Sequence, residues 1–165
     1  LVHRHLEWMA LEGLDHWTES ILQAALPALA QWLRRQGHPP AAAEQGAVQA
    51  LAHLLTTRRS EAGRWILKSR PEAASEMPWT RLEAAGLSNH VIDRTFVEAG
   101  VRWIIDYKTT RFVDSDPQSA IGLAHAAQLR RYARLFEHDA RPIRLAIFYT
   151  HSGRLNEVPL QPPIP

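Results

Sequence analysis

The 165-residue chain has no cysteine. Disulfides, thiolate zinc sites, iron–sulfur clusters and cysteine nucleophiles are excluded together. Any metal chemistry must use His, Asp and Glu, a ligand set that suits Mg²⁺ or Mn²⁺. The lack of cysteine fits a cytoplasmic protein. No apolar run approaches the ~20 residues needed to cross a bilayer, so no membrane partner is expected. The first residues, "LVHRHLE", do not read as a secretory signal. No G-x-x-x-x-G-K-[ST] phosphate loop is present, which excludes ATP hydrolysis by that route. Net charge is low, at +2, so no strong field draws polyanions. Lysine is the scarcest cation: Lys68 and Lys108 are the only two among 19 Lys and Arg residues.

What is present suits one globular domain. The length and a hydrophobic fraction of 45% allow a sizeable core. Residues 1–70 read as helical. Leu1, Val2, Leu6, Met9, Ala10 and Leu14 follow helical spacing. Asp15 or Thr18 opens a second helix, with a kink or a helix start near Pro27 and a stop at Gly37. Residues 71–158 read as an α/β core. A strand carries Glu76, "RLEAAGLSNH" connects it onward, and residues 90–96 and 102–108 form a hairpin. A long helix starts near Ser115 or Asp116, and strands follow at 141–150 and 154–160. Residues 159–165 read as a tail, and the whole as a domain of a longer protein. The order predicts an α/β fold, a mixed sheet flanked by helices.

The hairpin "VIDRTFVEAGVRWIIDYKTT" carries the chemistry. With its turn at residues 98–101, Val97 faces Arg102 and Asp93 faces Asp106. Alternation then places Asp93, Asp106 and Lys108 on one face. Two opposed carboxylates repel unless a cation separates them. The residues alone leave two readings open, a divalent metal or a buried Asp–Lys pair within a structural sheet. Buried ion pairs add little net stability, which weakens the second.

These residues resemble a known family. Asp93 followed by "DYK" at Asp106–Lys108 resembles the D…(D/E)-x-K signature of PD-(D/E)XK nucleases. The flanks "VIDRTF…RWIIDYKT" resemble the nuclease domain of RecB and AddA helicase–nucleases. "LVHRHLE" is similar to the helix that supplies a metal-binding histidine there, and "QLRRY", Gln128 to Tyr132, to the motif on the helix after the catalytic strands. One departure is "SNH" before Val91, where the family often has glycine.

The resemblance implies a restriction-endonuclease-like core. It implies His3, Asp93 and Asp106 as metal ligands, joined by the backbone carbonyl of Tyr107, with Lys108 as the catalytic lysine. Glu76 matches an acidic position near the metal, and Gln128, Arg131 and Tyr132 would support the site and contact DNA. The implied activity is Mg²⁺-dependent DNA hydrolysis of the exonuclease V type, with Mn²⁺ as an alternative ion, in double-strand break repair and recombination. The implied partners are single- or double-stranded DNA ends, helicase domains of the same chain and a second subunit. A catalytically silent module for DNA binding or subunit assembly is the alternative, although the full set His3, Asp93, Asp106 and Lys108 is retained.

Other residues have simpler readings. Trp8, Trp17, Trp32, Trp65 and Trp103 sit in apolar patterns and are expected in the core, while Trp79 lies beside the site strand. His5 lies on a different helix face from His3, His90 faces the opposite side from Asp93, and His16, His38, His53, His125, His138 and His151 show no ligand spacing. The arginine groups at 34–35, 58–59 and 130–134 read as solvated helix faces.

Overall fold

The computed structural model describes residues 1–70, 72–83, 86–110 and 120–161. Among them, helices α1 (Val2–Glu12), α2 (Glu19–Ala24), α3 (Leu26–Arg35), α4 (Pro40–Arg59) and α5 (Glu61–Leu67) precede the sheet. Strands β1 (Ala74–Glu83), β2 (Gly86–Glu98) and β3 (Val101–Lys108) follow, then α6 (Ala120–Ala133), β4 (Ile143–Tyr149) and β5 (Arg154–Val158). The helix start expected near Ser115 falls outside the described residues.

Local chemistry explains the helix boundaries. Gly13, at φ 90°, ends α1. The Thr18 side chain accepts from the Ile21 N–H and caps α2. Pro27 lies in the first turn of α3, where its missing N–H costs nothing. Of the two outcomes expected near Pro27, a kink or a helix start, the structure has the helix start. Helix α4 buries Ala43, Ala47, Ala50, Leu54 and Thr57, a stripe at spacings of three and four. Ser60 then ends α4 and caps α5 through the Gly63 N–H.

The strands lie side by side in the order β1-β2-β3-β4-β5. All neighbours are antiparallel except β3 and β4, which are parallel and joined through α6. This is the mixed α/β sheet expected from the order of elements. Its first hairpin is longer than expected. "RLEAAGLSNH" is not a plain connection, because β1 and β2 pair out to Glu83 and Gly86. Pairing across the hairpin outweighs the weak strand propensity of these residues. The β2–β3 turn holds Ala99 at φ 49° and Gly100 at φ 76°. Two positive φ values in a two-residue loop match the twist of the flanking strands. The turn sets the expected register, with Val97 opposite Arg102.

The sheet separates two apolar layers. On one face Leu6, Met9, Leu54, Ile66, Phe96, Ile105, Tyr107 and Phe148 pack together under α1, α4 and α5. On the other Ile92, Ile104, Leu145, Ile147 and Tyr149 pack against Leu129 and Tyr132 of α6. Two expected core tryptophans are elsewhere: Trp8 is 36% exposed and Trp32 43%. They line a cleft between α1 and α3, where an apolar periodicity has no further layer to cover it.

Candidate active site

Strand β2 changes face in the middle. Phe96 lies in the α1–α5 layer and Ile92 in the α6 layer, although two even positions on one regular strand share a face. The turnover falls at Asp93. Opposite it on β1, Glu76 has φ 47°, a left-handed conformation that is uncommon for a residue with a side chain. The β1–β2 register is the same on both sides, Ser75 with Arg94 and Met77 with Ile92. The two strands therefore turn over together without slipping. Such local strain persists where surrounding packing imposes it, and it gathers at functional sites.

The β2–β3 ladder also opens here. Backbone pairing runs from Glu98–Val101 to Arg94–Ile105. Beyond that, the Asp93 carboxylate replaces the backbone and accepts from the Tyr107 N–H at 2.6 Å. The neighbouring Tyr107 carbonyl lies 3.1 Å from His3 Nε2. That nitrogen is 3.9 Å from Asp93 Oδ2. Helix α1 brings His3 to the sheet because Val2, Leu6 and Met9 pack that face of the helix on Phe96, Tyr107 and Phe148, with His3 at its flank. The buried Tyr107 ring stacks on the imidazole, with centroids 5.8 Å apart.

Glu76 completes the group. One ligand atom from each of His3, Glu76 and Asp93 lies within 4.8 Å of the others. Glu76 Oε1 is buried and has no hydrogen-bond partner. Burial above all pushes the Asp93 carboxyl up to about 6, with Asp106 and Glu76 adding to the rise against His3 and the Tyr107 N–H. Two half-buried carboxylates beside one histidine have need for a cation. Nitrogen and carboxylate donors suit a hard or borderline divalent ion, so these residues fit one.

The sequence reading placed Asp93, Asp106 and Lys108 together. Asp93 joins His3 and Glu76, and Asp106 remains near enough to raise the Asp93 pKa. Asp106 is outside the tight His3–Glu76–Asp93 group, and its Oδ2 stands 2.7 Å from Lys108 Nζ. The contact is an ion pair without hydrogen-bond geometry, since the same oxygen has no hydrogen-bond partner. Asp106 and Lys108 stay on a regular strand under α6, while Asp93 turns toward His3.

On α6, Gln128 Nε2 donates to Tyr132 Oη at 2.6 Å, the contact their spacing of four allows. Tyr132 is buried beneath the helix, and Arg131 is exposed. His125, one turn before Gln128, also belongs to this end of the sheet. Its pKa is lowered by burial first and then by Lys108, with Asp106 opposing. The spacing of three from Gln128 was the available sequence signal. The side chains of Trp79 and His90 lie outside the described set.

The model of the PD-(D/E)XK nuclease superfamily matches residues 1–163. The chain belongs to that superfamily. A comparison with curated proteins finds no match. Membership in the PD-(D/E)XK nuclease superfamily points to nuclease activity on DNA and to a divalent metal. It also agrees with the restriction-endonuclease-like arrangement of a mixed sheet between helices. Among the described residues no helix is long and apolar enough to cross a membrane.

Proposed function

We propose that this domain hydrolyses DNA phosphodiesters in a metal-dependent reaction, as the nuclease part of a RecB- or AddA-like helicase–nuclease acting in double-strand break repair. The observation that carries the reading is the convergence of His3, Glu76, Asp93 and the Tyr107 carbonyl beside the Asp106–Lys108 pair. His3, Glu76, Asp93 and that carbonyl would hold Mg²⁺ or Mn²⁺, with Asp106 as the further carboxylate the resemblance assigns. The bound ion would lower the pKa of a water and offset phosphate charge.

The chain's own groups do the rest. Lys108 leaves Asp106 to donate to an anionic oxygen of the scissile phosphate, where charge develops. Asp106, freed of its partner, accepts from the attacking water. His3 must be neutral at Nε2 to ligate, so its present contact with the Tyr107 carbonyl is a proton held where a cation would sit. Gln128 and Tyr132 hold the α6 side of the site, and Arg131 faces outward for a strand phosphate. Residues 1–70 and 71–158 act as one unit in this reading, because His3 comes from the first and its partners from the second.

The test is degradation of linear single- and double-stranded DNA with Mg²⁺, Mn²⁺ or EDTA, beside Asp106→Ala and Lys108→Ala. Metal-dependent cleavage lost in both variants supports the reading. Cleavage that survives EDTA or either substitution sinks it. Metal binding by calorimetry without cleavage would favour a silent binding module instead.

A further inference from the structure

Lys108 is the last residue of β3, and the exposed Thr109 and Thr110 have already left the strand. A strand end frays unless something holds it. Here the Lys108 carbonyl accepts twice from one residue. The Thr150 N–H donates to it at 3.0 Å and the Thr150 Oγ1–H at 3.2 Å. Thr150 follows directly on β4 and has no exposed surface.

The hydroxyl is oriented in turn. His53 Nδ1 lies 2.7 Å from Thr150 Oγ1. A hydroxyl has one proton. With that proton on the Lys108 carbonyl, His53 Nδ1 is the donor. His53 sits on α4, across the sheet from α6, and its carbonyl accepts from Thr57 Oγ1 one turn later. The turn after Thr150 is pressed on the same helix. Gly153 has φ 67°, and a Cβ there would meet the Ser60 Cβ at 2.5 Å. The Gly153 N–H closes the turn on the Tyr149 carbonyl at 2.8 Å.

We infer that Thr150 is a positioning residue for catalysis, clamping the Lys108 backbone from the α4 side with its hydroxyl set by His53. The ammonium is thus presented on the α6 face while its backbone is fixed from the opposite face. The inference rests on the catalytic reading of Lys108 given above. A misplacement of the order of an ångström at a catalytic group is costly in rate. The backbone N–H survives any substitution of Thr150, so the hydroxyl can be tested alone.

The experiment compares metal-dependent cleavage of a single-stranded oligonucleotide by wild type, Thr150→Val, Thr150→Ser, Lys108→Gln and Thr150→Val/Lys108→Gln, each with its melting temperature. Thr150→Val should lower kcat by about tenfold or more with KM within about twofold, and Thr150→Ser should recover most of the loss. In the Lys108→Gln background, Thr150→Val should leave the residual rate where it is, because the two act as a unit. The inference is overturned if Thr150→Val keeps its kcat, if Thr150→Ser falls as far, or if the double variant shows two additive losses. Retained activity in Lys108→Gln, or none in the wild type, would instead overturn the catalytic reading and the clamp with it. Loss in Lys108→Gln with an unaffected Thr150→Val would remove the clamp alone.

Discussion

At the start of β3, Arg102 and Arg141 meet Glu72 and Asp139. Arg102 Nε lies 2.9 Å from Asp139 and its Nη2 3.3 Å from Glu72, while Arg141 reaches Glu72 at 2.8 Å and Asp139 at 3.5 Å. Each charge has two opposite neighbours. Beside the far end of the same strand, Glu76 and Asp93 gather with His3. The first cluster closes on itself and ties the lead-in to β1 to the lead-in to β4. The second has two carboxylates beside one histidine, with one Glu76 oxygen unsatisfied. Buried polar groups are nearly always satisfied in native proteins. A cluster that leaves its charge uncompensated is built for something that arrives later.

The sharpest way to break this comparison is to delete a member of the open cluster and, separately, the lysine beside it. Asp93→Ala and Lys108→Ala should each lower cleavage by roughly a thousandfold, the loss expected when charge stabilisation at the reacting phosphate is removed. Steady-state cleavage of a labelled DNA at saturating metal measures it. A loss below tenfold in either would mean that this end of the sheet is merely structural.

The closed cluster predicts the reverse. Arg102 is nearly buried, so Arg102→Met leaves Asp139 without its closest cation. Removing the cation from such a pair lowers stability, because the carboxylate loses its partner. Urea unfolding should show that loss, and cleavage per folded molecule should be unchanged. A catalytic defect without a stability defect would erase the distinction between the two ends.

The open cluster should respond to metal where the closed one does not. At a hundred times its dissociation constant, a divalent ion that binds only the folded state adds about 2.7 kcal/mol. Without metal, Glu76→Gln should stabilise the protein by about 1 kcal/mol, by relieving repulsion against Asp93. The pH dependence has a definite sign. The Asp93 carboxyl stands at about 6 when folded, above its unfolded value near ~4. Its contribution is therefore full below pH ~4 and is lost as pH rises through about 6. Thermal melts in EDTA from pH 4 to 8, with Asp93→Asn as control, test this. A metal-free melting temperature that rises across that window only when Asp93 is present would refute the assignment.

Parts of this arrangement were legible in the sequence, for local reasons. The β2–β3 register follows from a two-residue turn and strict alternation, and both survive in the fold at Val97–Arg102. His3 stood out only through the resemblance of "LVHRHLE" to a metal-binding helix, because a lone histidine on an amphipathic helix is no ligand signal in itself. The turnover at Asp93 could not be read in that way. It depends on Glu76 accepting a left-handed conformation that its side chain disfavours, which tertiary packing imposes and propensity opposes. The meeting of Asp93 with His3 and Glu76 goes with that turnover. Thr150 and His53 are 97 residues apart and meet only through the β3–β4 crossover. Trp8 and Trp32 show the opposite failure, since periodicity says which face is apolar and not whether anything covers it.

The smallest effect expected lies at a third gathering, His53 with His151, whose rings are 6.4 Å apart. Burial lowers the His53 pKa first, and His151 lowers it further. A histidine lowered in the folded state contributes stability above its unfolded value near ~6.5, and loses it as pH falls through the folded value. Acid should therefore weaken the fold in a way that His53→Asn reduces. Protonation adds its proton at Nε2 and leaves the Nδ1–H that reaches Thr150. The hydrogen bond survives, and the cost is only charge burial and repulsion from His151 in a half-exposed place. Melting curves from pH 7.5 to 5 should show a shallow fall in wild type and a shallower one in His53→Asn. Identical slopes would mean that His53 titrates as it does in the unfolded chain. A collapse of wild-type kcat in step with His53 protonation would mean that the hydroxyl is oriented by the imidazole charge and not by its Nδ1–H.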